Sequence, residues 1–294
     1  MSKLRPSRKA SEIAYTEKFY ELNSDSPLSL ALKTMTDERE IYRITIVDTS
    51  RTVRGVISGL RILEILSGFR GEIIKKRTSK GFKTLLEEPV HLFVEGYLHK
   101  LSKEISLTGL ISYVMENCVG HVILVDQSNR LQGIITESCI LKRLQAEDIR
   151  INISDIMTRQ VYYAKPENTL FDSITIMKTH KIRRLPVFDD SDFKGIITVT
   201  DLIKHLCSNL YFSNSLEEEK IKKLLQEPIS RIDLKQPKIL NPKENIKIIN
   251  LDEFGLGALI LEDDHKIIGI VSPRDLVTKI PLLIGVQKFI EIIR

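Results

Sequence analysis

Tryptophan is absent from the 294 residues, aromatic residues make up 6%, and cysteine occurs three times. Cys118, Cys139 and Cys207 make no even set and show no metal-like spacing, which argues against a disulfide framework and a cysteine-based metal site. They read as small core or surface residues, since free cysteine is often buried. No apolar run approaches the ~18–20 residues of a membrane span, and the basic, polar stretch Met1 to Ala10 lacks a signal-peptide core. Also missing are a phosphate-binding Gly-x-x-x-x-Gly-Lys-Ser/Thr loop, His-Glu-x-x-His and Gly-x-Ser-x-Gly. These absences lead to the expectation of a soluble cytoplasmic protein that is not an enzyme, is not attached to a membrane and binds no metal.

What is present is an ordinary globular balance, 42% apolar and 28% charged. The length suits about two domains at roughly 100–200 residues each. The net charge of +5 is concentrated early, in Lys3, Arg5, Arg8 and Lys9 and in Lys75, Lys76, Arg77, Lys80 and Lys83. Such clusters suit a polyanion, but no interleaved aromatic ladder accompanies them. A solvated tail and linker helix is the plainer reading.

A pattern recurs four times: a short apolar strand, Gly, two aliphatic residues, Ser or Thr, then an amphipathic helix. The copies are Gly55-Val56-Ile57-Ser58, Gly133-Ile134-Ile135-Thr136, Gly195-Ile196-Ile197-Thr198 and Gly269-Ile270-Val271-Ser272. Their glycines are separated by 78, 62 and 74 residues. Leu85-Leu86-Glu87-Glu88-Pro89 recurs as Leu224-Leu225-Gln226-Glu227-Pro228, a shift of 139. The chain is therefore a pair of pairs, and repeats at such periods bury their apolar faces against one another.

The third copy shows the order β-α-β-β-α most clearly. Val161 to Ala164 reads as a strand. Thr169 is the N-cap of a helix marked by Leu170, Ile174, Met177 and Ile182. Leu185 to Phe188 pairs with Gly195 to Val199 across a turn at Asp189 to Asp192, and a second helix covers Leu202 to Leu206. In the other copies Ile44 to Val47 pairs with Val53 to Ile57, Val122 to Val125 with Leu131 to Ile135, and Ala258 to Leu261 with Ile267 to Val271. Aligning Asp48, Asp126, Asp189 and Glu262 places Arg43, His121, Arg184 and Gly257 at equivalent sites. Linker helices are expected after the first and third copies, with Glu217 to Gln226 the better one. Leu282 to Arg294 reads as a docking helix.

Ile182-Arg183-Arg184-Leu185-Pro186-Val187, followed by Gly195-Ile196-Ile197-Thr198-Val199-Thr200-Asp201-Leu202, resembles a CBS domain. So does Gly269-Ile270-Val271-Ser272-Pro273-Arg274-Asp275-Leu276. The resemblance extends over about residues 12–294 in four copies, at 12–68, 86–146, 151–208 and 226–294. It implies a mixed α/β fold (α+β) with the repeats paired into two Bateman modules. The arrangement is similar to that of the γ subunit of AMP-activated kinases, a flat pseudo-symmetric disk. It further implies regulation through clefts that bind adenosine-containing ligands such as AMP, ADP or ATP, with no cofactor required. A regulated protein partner is expected, in a monomeric disk or a homodimer.

By that resemblance Asp201 and Asp275 hold ribose hydroxyls, and Thr198 and Ser272 face phosphates. Ser272, Arg274 and Asp275 are expected to face Thr158, Val161, Tyr162, Ile182, Arg183 and Pro186. Thr198 and Asp201 are expected to face Ser230, Ile232 and Gly255-Leu256-Gly257. Arg183 and Arg184 are candidate phosphate clamps. The chemistry suits these roles: helix N-termini favour anions, and a carboxylate accepts two hydrogen bonds from a diol. Asp201 and Asp275 also read as plain helix N-caps.

Where the family has this Asp, the first repeat has Arg61 and the second Cys139, neither of which accepts a diol. The ligand is expected in the C-terminal pair. In the N-terminal pair, Ser58, Thr136, Arg43 and His121 remain possible phosphate contacts. Nucleic-acid binding by the basic regions and a scaffold with degenerate sites are the competing readings.

Overall fold

The computed structural model describes residues 9–15, 21–36, 42–68, 82–144, 149–211, 218–249, 259–263 and 266–293. The basic stretches 1–8 and 75–80, the Gly255-Leu256-Gly257 segment, and most of the charged junction after Leu144 lie outside these residues.

Three of the four repeats build a three-stranded sheet of one topology. The strands are β1 (Glu21–Asn23), β2 (Arg43–Val47) and β3 (Val53–Ser58); β4 (Lys100–Ser102), β5 (His121–Val125) and β6 (Leu131–Thr136); and β9 (Ile239–Leu240), β10 (Leu259–Asp263) and β11 (Lys266–Val271). In each sheet the first strand runs parallel to the middle one, and the last two form an antiparallel hairpin. β7 (Arg184–Asp189) and β8 (Asp192–Thr198) form the third hairpin. The strand expected over Val161 to Ala164 is reduced to one parallel bridge, Ala164 to Val187. The next bridge back would need an N–H from Pro186, which has none.

The register follows the alignment from sequence. Arg43 lies opposite Ser58, His121 opposite Thr136 and Arg184 opposite Thr198. Two hairpin turns share one device. Asp48 accepts from the N–H groups of Ser50 and Thr52, and Asp126 from those of Ser128 and Arg130, each at 2.9 Å. Arg51 and Asn129 take the left-handed conformation in these turns, with φ of 60° and 58°.

Between its first and middle strands each repeat places a helical segment: Leu28–Thr36, Leu107–Asn117, Leu170–Thr179, and in the fourth a 3₁₀ turn, Ile246–Ile248. The helix following the motif Ser or Thr is Gly59–Leu66, Glu137–Leu141, Val199–Tyr211 or Pro273–Ile284. The expected linker helix is Glu218–Leu225, and the C-terminal one is Val286–Ile292.

The chain forms two compact units, and each takes parts from all four repeats. The first holds 1–17, 98–161 and 237–294; the second holds 18–97 and 162–236. In the first unit Leu107, Leu110, Val122, Ile140, Leu276, Ile280 and Phe289 share one core, which joins helices of the second and fourth repeats. In the second unit Leu28, Ile57, Leu63, Leu170, Ile197, Leu202 and Leu206 share another, which joins the first and third.

The segment that leads into each repeat packs on the body of its pair-mate. Tyr15, at the start of the first repeat, bridges Ile134 of the second, while Glu95 donates its N–H to the Val56 carbonyl of the first at 2.7 Å. Thr158 bridges Ile270 of the fourth, and Lys235 bridges Ile196 of the third. In every case the contacted residue directly follows the motif glycine. A second set of bridges repeats the exchange: Lys9 to Ser106, Pro27 to Pro89, Asn152 to Asn245 and Thr169 to Pro228.

This exchange explains the glycines. A Cβ on Gly55 would lie 2.4 Å from Val94 Cβ, and one on Gly269 would lie 2.8 Å from Met157 Sδ. At Gly195 it would lie 2.8 Å from Leu234 Cβ, with φ at +142°, a region reserved largely for glycine.

Candidate functional site

The residue three places after each motif Ser or Thr reaches back to the incoming leader. In the fourth repeat Asp275 sits in the first turn of the Pro273–Ile284 helix. Its Oδ2 accepts from the Ser272 backbone N–H at 2.8 Å and from the Ser272 hydroxyl at 2.6 Å. Its Oδ1 accepts from the Thr158 hydroxyl of the leader at 2.7 Å and pairs with Lys279 Nζ at 2.6 Å. Lys279 also donates to the carbonyls of Ile156 and Met157, at 2.8 and 3.1 Å.

The third repeat repeats the plan with a different cation. Asp201 Oδ2 accepts from the Thr198 N–H at 2.9 Å and its hydroxyl at 2.6 Å. Asp201 Oδ1 pairs with Lys235 Nζ of the leader at 3.0 Å. The Asp201 and Asp275 side chains are only 11% and 10% exposed, whereas Lys235 and Lys279 are 31% and 33% exposed. The aspartates, read as helix N-caps, instead stand at the third helical position: Ser272 and Thr198 cap the helices and each aspartate reaches back to its cap residue. That contact engages one oxygen of each, while the other points to the leader.

The first repeat inverts the polarity. Arg61 donates to the carbonyls of Phe93 and Val94 at 3.0 and 3.3 Å, and to Glu64 at 3.3 Å. Ser58 accepts from the Arg61 N–H and donates to the leader carboxylate of Glu95. Ser58, Leu60, Arg61, Glu64, Glu95 and Gly96 line a cleft of about 220 Å³. The protein's own carboxylate thus sits where a phosphate was expected. In the second repeat Cys139 is buried and takes the N–H of Thr136 at 3.3 Å. Burial pushes its thiol up from the ordinary range, and Tyr15 of the leader donates a backbone hydrogen bond to it.

At the start of the middle strands the two units differ. In the second unit Arg183 and Arg184 lie over the Tyr42 ring, 5.4 and 5.9 Å from its centroid. The first N–H of the Gly59–Leu66 helix is taken by Tyr42 O, and that of the Val199–Tyr211 helix by Arg183 O. Those helix starts adjoin, since a Cβ on Gly59 would lie 2.8 Å from Val199 Cγ1. In the first unit Arg274, a candidate ligand contact, pairs with the buried Glu137 of the second repeat at 3.3 Å. Glu137 Oε1 would lie 1.9 Å from a Cβ on Gly120. His121 is buried nearby in sequence and strand register.

The predicted residues thus fall into two groups. Thr158, Val161, Ser272, Arg274 and Asp275 belong to the first unit. Tyr162, Ile182, Arg183, Arg184, Pro186, Thr198, Asp201, Ser230 and Ile232 belong to the second. Tyr162 stacks on His180 with ring centroids 3.4 Å apart. Ile232 is part of the hydrophobic core and Ser230 is exposed. Lys235, Lys279, Glu95 and Glu137 were not anticipated. Of these only Lys279 had a local signal, its i,i+4 spacing from Asp275.

The CBS domain family matches residues 153–208. The sequence is 26% identical to the uncharacterized protein MJ1225 of Methanocaldococcus jannaschii, over 90% of this chain and 96% of that one. It is 24% identical to an uncharacterized 33.4 kDa protein in a ribosomal RNA operon of Thermofilum pendens, over 85% and 84%. The crystal structure of MJ1225, presented as a proposed archaeal homologue of γ-AMPK, matches with a TM-score of 0.79 at 24% identity. That match covers 92% of this chain and 98% of MJ1225. A protein from Pyrococcus horikoshii matches at 0.56 and 16%, covering 92% and 98%. Residues 153–208 thus match the CBS domain, and over nearly its whole length the chain is similar to MJ1225, with which it shares a mixed α/β fold of paired β-α-β-β-α-like units.

Proposed function

We propose that this protein is a non-catalytic regulatory chain that senses an adenosine-containing ligand of the AMP, ADP or ATP class through its third and fourth repeats. The observation that carries this reading is the state of Asp201 and Asp275. Each carboxylate is fixed by its own Ser or Thr and presents Oδ1 to the partner's leader. An ionised carboxylate only accepts hydrogen bonds, so a ribose hydroxyl binds Oδ1 in exchange for part of the contact that the lysine makes there.

The third-repeat cleft is the better supplied within a single unit. Asp201 serves the ribose; Arg183 adjoins the start of its helix, its carbonyl accepting from Val199 N–H, and Arg184 lies opposite Thr198 in the hairpin. Arginine forks suit phosphate, and the helix N-terminus adds a favourable dipole. Arg61 and Cys139 leave the first two repeats without a diol acceptor, and Glu95 already seats an anion on Ser58. These repeats act as structural counterparts. The likeness to MJ1225, presented as a γ-AMPK homologue, supports a regulatory role for the whole chain. Among the described residues no group of three or more His, Cys, Asp or Glu is placed to hold a metal ion, and no helix is long and apolar enough to cross a membrane.

The direct test is equilibrium binding of AMP, ADP and ATP to the intact chain and to Asp201→Ala and Asp275→Ala. The reading expects binding that weakens at least tenfold in one of the two variants. Unchanged affinity in both would contradict it.

A further inference from the structure

Both candidate ribose carboxylates carry a lysine, and the two lysines come from different places. Lys235 arrives on the leader of the fourth repeat, at 3.0 Å from Asp201 Oδ1. Lys279 stands one turn along the same helix, at 2.6 Å from Asp275 Oδ1. In each case the lysine sits on the oxygen that the capping Ser or Thr leaves to the leader, so the same electrostatic state is reached by two unrelated routes. Without a ligand each carboxylate is already neutralised.

We infer that Lys235 and Lys279 are specificity-determining residues that select adenosine ligands bearing negative charge over neutral or cationic ones. The inference rests on the adenosine reading above and names the ligand's charge class. A ribose diol on Oδ1 competes with the ammonium for the same lone pairs. The ammonium is two-thirds buried and loses part of its partner. A ligand phosphate returns a counter-charge to it, and a charge-assisted hydrogen bond is stronger than a neutral one. Adenosine returns nothing, and the sulfonium of S-adenosylmethionine adds repulsion. The lysines therefore impose a cost that only an anionic ligand offsets.

In the first repeat protein carboxylates outnumber the cation. There the cation is Arg61, the anion on the cap is Glu95, and Glu64 pairs with the guanidinium. All three charges belong to the chain and leave an excess of one negative charge, so nothing there calls for an anionic ligand. In the third and fourth repeats the anion on the cap side is the ribose carboxylate itself. Its occupation by a diol frees a cation that the ligand must satisfy.

The test is calorimetric titration of the intact chain with AMP, adenosine and S-adenosylmethionine, in wild type, Lys235→Met and Lys279→Met. Wild type is expected to bind AMP more tightly than adenosine, and S-adenosylmethionine most weakly. Removing the ammonium removes the competition, so adenosine should bind about tenfold more tightly to one or both variants, while AMP binds no better. A lysine that merely touches phosphate would weaken AMP and leave adenosine alone. One that merely supports the fold would weaken both ligands together. Either result overturns the inference, as does equal affinity of wild type for AMP and adenosine. If wild type binds neither, the adenosine reading itself fails. Lys279 also holds two leader carbonyls, so Lys235→Met decides the matter if Lys279→Met does not fold.

Discussion

Thr158 and Asp275 are 117 residues apart in the chain, and the threonine hydroxyl donates to the aspartate at 2.7 Å. This contact ties the leader of the third repeat to the first helical turn after the fourth repeat's motif. Thr158 also exchanges two backbone hydrogen bonds with Ile270, at 2.9 and 3.0 Å. Side chain and backbone thus fix the same crossing point. Corresponding crossings at Tyr15, Glu95 and Lys235 make the pattern general to all four repeats.

Thr158→Val should keep the backbone bridge and lose the side-chain bond. A hydrogen bond to a charged, largely buried carboxylate contributes about 1.5–3 kcal/mol. Retention of the Lys279 contact places the expected loss at the lower end of that range. Urea unfolding of the variant would measure it. No loss of stability would mean that Asp275 does not depend on the leader.

Gly195→Ala should destabilise the chain by about 1–3 kcal/mol, the usual scale for a side chain forced into a disfavoured backbone region. The new Cβ would also meet Leu234 Cβ at 2.8 Å and the Lys235 carbonyl at 2.9 Å. Both effects act on the leader that carries Lys235, so the variant should also weaken nucleotide binding. Thermal unfolding and titration of the same sample separate the two losses.

Acid should weaken the hairpins of the first two repeats. Backbone hydrogen bonds, from Thr52 to Asp48 and from Arg130 to Asp126, hold both carboxyls below the ordinary carboxylate range. A folded-state pKa below the unfolded one gives stability that is present above the unfolded value. It is lost as pH falls through the folded value. These two turns therefore contribute fully above about pH 4, the unfolded value, and their contribution falls away below it as the pH passes through the lower folded values. Asp126→Asn should lower the melting temperature at pH 7 and flatten its decline toward pH 3. An unchanged acid limb would show that the turn is not the source.

Much of this organisation was legible in the chain because it is local. The hairpins followed from alternation and turn residues, and aligning the acid after each middle strand placed Arg43, His121 and Arg184 opposite Ser58, Thr136 and Thr198. The Gly-x-x-Ser/Thr-x-x-Asp spacing gave both aspartates. Long-range exchange was not legible. Nothing near Asp201 in sequence announces Lys235, and nothing near Arg274 announces Glu137. Nothing beside the motif glycine in sequence announces that a leader passes over it, as happens at Gly55, Gly195 and Gly269. Val161 to Ala164 had the composition of a strand, but its partner offered a proline where an N–H was needed.

The most direct test of the central claim is thermal unfolding with AMP, ADP and ATP, comparing wild type with the Asp201→Ala/Asp275→Ala double variant. At 100 times the dissociation constant, a ligand that binds only the folded chain stabilises it by about 2.7 kcal/mol. The account predicts a ligand-dependent rise in melting temperature that disappears in the double variant. A rise of equal size in both proteins would contradict it, because the ligand would then be held by residues other than the two aspartates.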